Sequence, residues 1–267
     1  MNLLNDAGVL NKKIIYDFGA NNGDDIPYYL QKADLVVAVE ANPILCKKIR
    51  DRFMNEIIQQ RLIVVEAVLT DGKTESRVVF YLHKTRHFLS QFPKPELEII
   101  SQFDPVLLPS ISIIEIISKY GDPYYIKIDV EHYDEVILLN LFENNIRPPF
   151  ISAESHNIKV FSLLVALGHY DCFKLVDGHS VVEKYKNHEI NTLSGKSVYS
   201  FPYHSAGPFG EDIEGEWMTA NNFFKLFGLV GLGWKDIHAA NSLKADPKII
   251  PVIESNGPIN IKLVRLP

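Results

Sequence analysis

The chain has 267 residues, 46% of them apolar, with a net charge of −6 and a pI of about 5.9. This is enough for one large α/β domain and too acidic for a general polyanion binder, so nucleic acid is not an expected partner. Cys46 and Cys172 are the only cysteines and fit a reducing, cytoplasmic setting; no apolar stretch reaches the roughly 18 residues of a membrane span, and no signal-peptide pattern opens the chain.

The first predicted element is the most informative. Ile14-Ile15-Tyr16-Asp17-Phe18 reads as a buried strand and turns through Gly19-Ala20-Asn21-Asn22-Gly23-Asp24. Gly, and less readily Asn, accepts positive φ, so the turn is tight and its backbone can approach a ligand. Open α/β sheets bind ligands at such strand ends. Asp17, Asp24 and Asp25 would repel a pyrophosphate, and no Lys or Arg follows the turn to offset them. They would attract a cationic nucleotide such as S-adenosylmethionine, with its sulfonium and ammonium groups. The Gly19-xxx-Gly23 spacing is not the GxGxxG dinucleotide pattern.

A second strand, Leu35–Val39, ends in Glu40-Ala41-Asn42-Pro43. Glu40 stands 23 residues after Asp17, close to the roughly 20-residue spacing of a ribose-binding acid. The competing reading is that Glu40 only caps the next helix. That helix is predicted over Ile44–Gln60, with the stripe Leu45, Ile49, Phe53 and Ile57. Strands follow at Leu62–Val68 and Ser76–Leu82. The segment Arg86–Leu108, with prolines at 93, 95 and 105, reads as a loop. Helices are predicted at Ser112–Tyr120, capped by Ser110 or Ser112, at Asp134–Asn144 and at Val160–Leu167. Strands are predicted at Tyr124–Ile128, Phe150–Ala153 and Cys172–Val176. Such alternation predicts a mainly parallel sheet with helices on both faces. From Asp177 to Trp217 the chain is polar and reads as a long functional loop. Met218–Leu232 reads as a helix and Ile259–Leu266 as a final strand.

Two further strand ends carry chemistry. In Tyr125-Ile126-Lys127-Ile128-Asp129-Val130-Glu131-His132-Tyr133-Asp134, Asp129 ends a strand beside the expected crevice. Asp134 is equally a first-turn helix acid, and Lys127 a snorkelling residue paired with a carboxylate. In Ile151-Ser152-Ala153-Glu154-Ser155-His156-Asn157, Glu154 and His156 share one side of an extended segment. The carboxylate can orient the imidazole and raise its basicity, which suits a general base of near-neutral pKa. A metal site from Asp129, Glu154 and His156 lacks any local ligand-spacing signature, and no metal is expected.

Asp17-Phe-Gly-Ala-Asn-Asn-Gly-Asp24, Val39-Glu-Ala-Asn-Pro43, Lys127-Ile-Asp-Val-Glu131 and Ala153-Glu-Ser-His156, in this order, resemble the motifs of FkbM-type S-adenosylmethionine-dependent methyltransferases over about residues 13–176. The resemblance implies a Rossmann-like class I methyltransferase fold, with a mostly parallel seven-stranded sheet whose last strand is inserted antiparallel. It implies cofactor contacts at Asp17, Gly19, Asn21, Gly23, Glu40 and Ala41, with Ala67 and Val68 near the adenine and Asp129 near the methionine end. It implies O-methylation of a hydroxyl on a sugar, glycan or secondary metabolite; the strand-end residues themselves put forward His156, Glu154 and Asp129 as the catalytic group. His132-Tyr133 stand where the family usually has Gly-Ala.

The expected organisation is one methyltransferase domain, residues 1–267. Residues 1–176 hold the cofactor, and 177–267 form an acceptor-side region that completes the sheet. Acceptor contacts are expected at His132, His204, Ser205, Asp212 and Trp217, with the segment 203–217 closing over the acceptor; packing or dimer contact is its alternative role. A homo-oligomer is left open. The alternatives in function are an NAD(P)-dependent oxidoreductase and a nucleotide-binding module without chemistry.

Overall fold

The computed structural model describes residues 12–241, 245–254 and 260–266. Its first half alternates as expected: β1 (Ile14–Phe18), α1 (Ile26–Lys32), β2 (Leu35–Glu40), α2 (Pro43–Arg52), α3 (Met54–Ile58) and β3 (Leu62–Glu66). Next come β4 (Val68–Thr70), β5 (Arg77–His83) and β6 (Phe103–Ser112), which form a small separate sheet in the order β4-β6-β5. The alternation resumes with α4 (Ile113–Tyr120), β7 (Tyr125–Ile128), α5 (Asp134–Glu143), β8 (Phe150–Ser155), α6 (Ile158–Ala166) and β9 (Cys172–Asp177). The remainder comprises α7 (Val181–Lys184), the hairpin of β10 (His188–Thr192) and β11 (Gly195–Tyr199), β12 (Met218–Thr219), α8 (Ala220–Val230), β13 (Gly233–Ala240), and the hairpin of β14 (Ile249–Glu254) and β15 (Asn260–Arg265).

The main sheet runs β12-β9-β13-β8-β7-β1-β2-β3. The pairs β1–β2, β2–β3, β1–β7 and β7–β8 are parallel, and β13 is antiparallel to both β8 and β9. The seven-stranded expectation is thus corrected to eight strands of mixed direction. The addition is the two-residue edge strand β12, antiparallel to β9.

Side chains alternate between the two faces, as a strand requires. Ile14, Tyr16, Phe18, Leu35, Val37 and Val39 enter one core with residues of α4, α5, α6 and α8. Ile15, Val36 and Ala38 enter the other, with residues of α1, α2 and the segment 181–213. Strands buried on both faces read as continuous apolar runs, which is why β1, β2 and β7 are legible in the sequence.

Local chemistry sets the helix boundaries. Ser112 accepts from Glu115 N and Glu115 returns a bond to Ser112 N, so Ser112 rather than Ser110 starts α4. Asn42, Asn157 and Thr219 cap α2, α6 and α8. The single helix expected over 44–60 breaks at Phe53, whose backbone (φ −119°, ψ 33°) leaves the helical region.

Three other expectations change. Residues 103–108 are strand, not loop: β6 pairs with β5 over 103–109, while β4 reaches only Ser110–Ser112. Pro105 therefore sits where one edge of the strand is open. The segment 177–217 contains α7 and the β10–β11 hairpin. A strand not expected, β13, completes the main sheet from within 177–267; the expected last strand is present at 260–265 but pairs in its own hairpin, and residue 259 lies outside the described residues. Among the described residues no helix is long and apolar enough to cross a membrane.

Candidate active site

β1 and β7 meet side by side, with Asp17 opposite Lys127 and Phe18 opposite Ile128. Their ends approach so closely that a Cβ on Gly19 (φ +83°) would lie 1.7 Å from the Asp129 carbonyl oxygen. Only glycine fits there. Beyond it the loop folds back, and Asn21 (φ 49°) donates its backbone N–H to Glu40 Oε2 at 2.8 Å. Asn42 N donates to Glu40 Oε1, also at 2.8 Å. Glu40 is thus held by two loops and is 8% exposed. Burial pushes its carboxyl up to about 7, against the pull of the Asn42 and Asn21 amides.

These strand ends open into a cleft of about 400 Å3. Gly19, Asn21, Glu40, Ala41, Ala67 and Val68 of the expected cofactor set line it. So do Asp129, Glu154, His156 and His204. Among the described residues no lysine or arginine is on its wall.

Lys127 lies beneath the loop. Its Nζ is 3.3 Å from Asp129, 3.4 Å from Asp17 and 3.9 Å from Asp25, and it donates to Gly19 O at 3.1 Å. Burial opposes its charge, but the carboxylates outweigh that and hold the ammonium protonated. Asp17 is fully buried under the cleft, not on its wall. Its role is to face Lys127. Gly23 is also off the wall; it makes the turn and packs against Ile26, Ile49 and Phe53. The loop does have basic neighbours, since Arg52 meets Asp24 at 2.7 Å, but that pair also lies off the wall.

At the other end, His156 Nε2 is 2.9 Å from Glu154 Oε2 and 3.8 Å from Glu131 Oε2. Burial works against a charged imidazole; the contact with Glu154, then the charges of Asp134 and Glu131, overcome it and raise the His156 pKa. Glu154 is raised by burial and by Asp129. The imidazole expected beside Glu154 is thus ion-paired with it, and its basicity lies above the near-neutral value expected.

The expected acceptor residues divide. His204 reaches the cleft, with Tyr203 beside it. His132 (φ 65°) occupies the left-handed turn, its ring tilted against His156 at 4.9 Å and off the wall. Ser205 is buried and bonds Asp25. Asp212 is buried against Lys32 and accepts from Tyr28 Oη at 2.8 Å and from Asn191 N at 2.9 Å. Trp217 packs near Phe150, with Lys174 Nζ 4.8 Å from its ring. Instead of closing over the cleft, the segment 205–217 covers the sheet: Phe209 stacks on Tyr125 at 3.9 Å. An apolar face must be buried, and the aromatics of this segment do so.

Sequence reasoning missed His87, Phe88, His179 and Trp234, which line the same cleft. They come from a 3₁₀ turn after β5, from the end of β9 and from β13, and carry no local motif. One signal exists: Gly178, where a Cβ would lie 2.4 Å from the Trp234 ring.

No protein-family model and no curated protein matches the chain. Among solved structures it is similar to the methyltransferase FkbM from Methylobacillus flagellatus KT, with 16% identity, a TM-score of 0.40, and coverage of 64% of this chain and 42% of that one. It is also similar to the precorrin-6y C5,15-methyltransferase from Geobacter metallireducens GS-15, with 14% identity, a TM-score of 0.35, and coverage of 71% and 74%. A third likeness is to a putative RNA methyltransferase from Pyrococcus horikoshii, with 13% identity, a TM-score of 0.33, and coverage of 88% and 78%. The chain thus spans under half the length of the first of these.

Proposed function

We propose that this chain is an S-adenosylmethionine-dependent methyltransferase acting on a hydroxyl group of an uncharged small molecule or glycan. The observation that carries the reading is the cleft itself: it runs from a ribose-competent Glu40 to the Glu154–His156 pair, and among the described residues its wall carries carboxylates but no lysine or arginine. Such a wall suits a cationic cofactor and disfavours a pyrophosphate or an anionic acceptor. The insertion of β13 between β8 and β9 agrees with the class I sheet.

In this reading Glu40 accepts from the ribose hydroxyls, Ala67 and Val68 border the adenine, and Asp129 meets the methionine ammonium. The acceptor sits among Phe88, His204 and Trp234 at the other end. Its oxygen attacks the methyl carbon as its proton passes to the Glu154–His156 pair. The new O–C bond forms while the C–S bond breaks, its electron pair going to sulfur. The protein mostly supplies position, because the sulfonium is already a good leaving group.

Calorimetric titration with S-adenosylhomocysteine, with NADH in parallel, tests this. Micromolar binding of the former alone is expected. Binding of NADH alone would replace the reading with a dinucleotide-dependent one.

A further inference from the structure

The acidic end of the cleft holds more negative charge than its neighbours balance. Asp129, Glu131, Glu154 and His156 each present a donor atom, and all four atoms lie within 4.8 Å of one another. Asp134 backs them. It is 2% exposed, neither of its carboxylate oxygens has a hydrogen-bond partner of ordinary geometry, and its charge acts on all four. Buried polar atoms are normally paired, and an orphaned carboxylate beside a cluster of donors marks a missing positive charge. Lys127 cannot supply it, being shared among Asp17, Asp25 and Asp129 behind the loop.

We propose that Asp129, Glu131, Glu154 and His156 bind one divalent cation of the Mn2+ class. Three carboxylates and one imidazole form a mainly hard donor set with one nitrogen, which Mn2+ accepts. The spread of donors also fits: with bonds of about 2.1 Å, opposite ligands of an octahedral ion stand about 4.2 Å apart, so small side-chain shifts close the shell. Two of about six positions then remain open toward the cleft. Each carboxylate gives one oxygen to the ion, so a second oxygen of Glu154 stays free for the acceptor's proton.

The use of the ion rests on the methyl-transfer reading: it would fix the acceptor oxygen in line with the methyl group. Its binding does not rest on that reading. The motif spacing hid this site because the donors come from two strand ends that only the sheet brings together.

The test is an electron paramagnetic resonance titration of chelator-treated protein with Mn2+, which reads the free ion. One Mn2+ per chain is expected, with Glu131→Gln and Asp129→Asn each weakening uptake at least tenfold. The thermal unfolding midpoint of each metal-free variant reports whether it still folds. Absence of saturable uptake in the parent chain, or equal uptake in folded variants, overturns the proposal. Titration of the same preparations with S-adenosylhomocysteine separates the two ideas. Homocysteine-ligand binding without Mn2+ uptake ends the metal site alone, while Mn2+ uptake without that ligand leaves the metal site standing and removes the methyl-transfer reading.

Discussion

The two ends of the cleft treat their carboxylates differently. Glu40 is held by two backbone amides, one from each flanking loop, and its position is fixed before any ligand arrives. Glu131, Glu154 and Asp134 have no such donors in common; they crowd one imidazole and each has its pKa raised by burial. The first arrangement is built to receive hydroxyl donors. The second waits for positive charge or a proton. In the proposed reading, binding and chemistry fall at opposite ends, which meet where Gly19 passes beneath Asp129 O.

The largest way to break this comparison is at the second end. His156→Ala should lower turnover by about 10²–10⁴-fold, the usual range for a lost proton-transfer group. Homocysteine-ligand affinity, measured by calorimetry, should stay near the parent value. A parallel fall in both would mean that the two ends are not separate.

Asp212 offers a contrast, because the protein meets all its needs. Asp212→Ala would leave the buried Lys32 ammonium without its carboxylate, bonded to Asn191 O, and would take the acceptor from Tyr28 Oη and the Asn191 amide. Removing one partner of such a buried pair costs about 3–5 kcal/mol. Denaturant unfolding should show that loss, with the ligand affinity of the folded protein unchanged. A selective rise in acceptor KM with full stability would restore Asp212 to the acceptor site.

Glu40→Ala comes next. It should weaken S-adenosylhomocysteine by roughly 1–3 kcal/mol, the value of a charged hydrogen bond, and leave Mn2+ uptake intact. Unchanged ligand affinity would remove Glu40 from the cofactor end.

What the sequence disclosed follows from which interactions are local. Glu40 and the Gly19 turn were legible because a strand end, a tight turn and the next strand end are all read along one stretch of chain. β13 was not, because its interior positions carry Asp236 and His238, buried at 3% and 2% exposure. β1 and β7 each hold one buried charge within an apolar run, whereas Lys235, Asp236 and His238 leave no such run in β13. The part 205–217 of the expected acceptor segment misled for the converse reason. Its polar residues look ligand-directed, yet Ser205 and Asp212 satisfy Asp25, Lys32 and Tyr28 from 180 or more residues away. Composition shows that such groups exist but not which partners the fold supplies.

The smallest effect is the most diagnostic, because it has two signs. Burial holds the Glu40 carboxyl up to about 7, above its ordinary 4.5. Without ligand, the folded state therefore binds that proton more tightly than the unfolded state does. The contribution of Glu40 to stability must fall as pH rises from 4.5 through 7. With ligand the sign reverses. Ribose hydroxyls donate best to the ionised carboxylate, so protonation competes with binding, and affinity should drop about tenfold per pH unit below the pKa. Between pH 8 and pH 6, S-adenosylhomocysteine should thus weaken by about tenfold, since only the last unit lies below the pKa. Glu40→Gln removes the titrating group and should flatten both trends at once. If the variant keeps the affinity trend but loses the stability trend, the proton that competes with ligand sits on another carboxylate of the cleft, and the acidic cluster rather than Glu40 meets the cofactor.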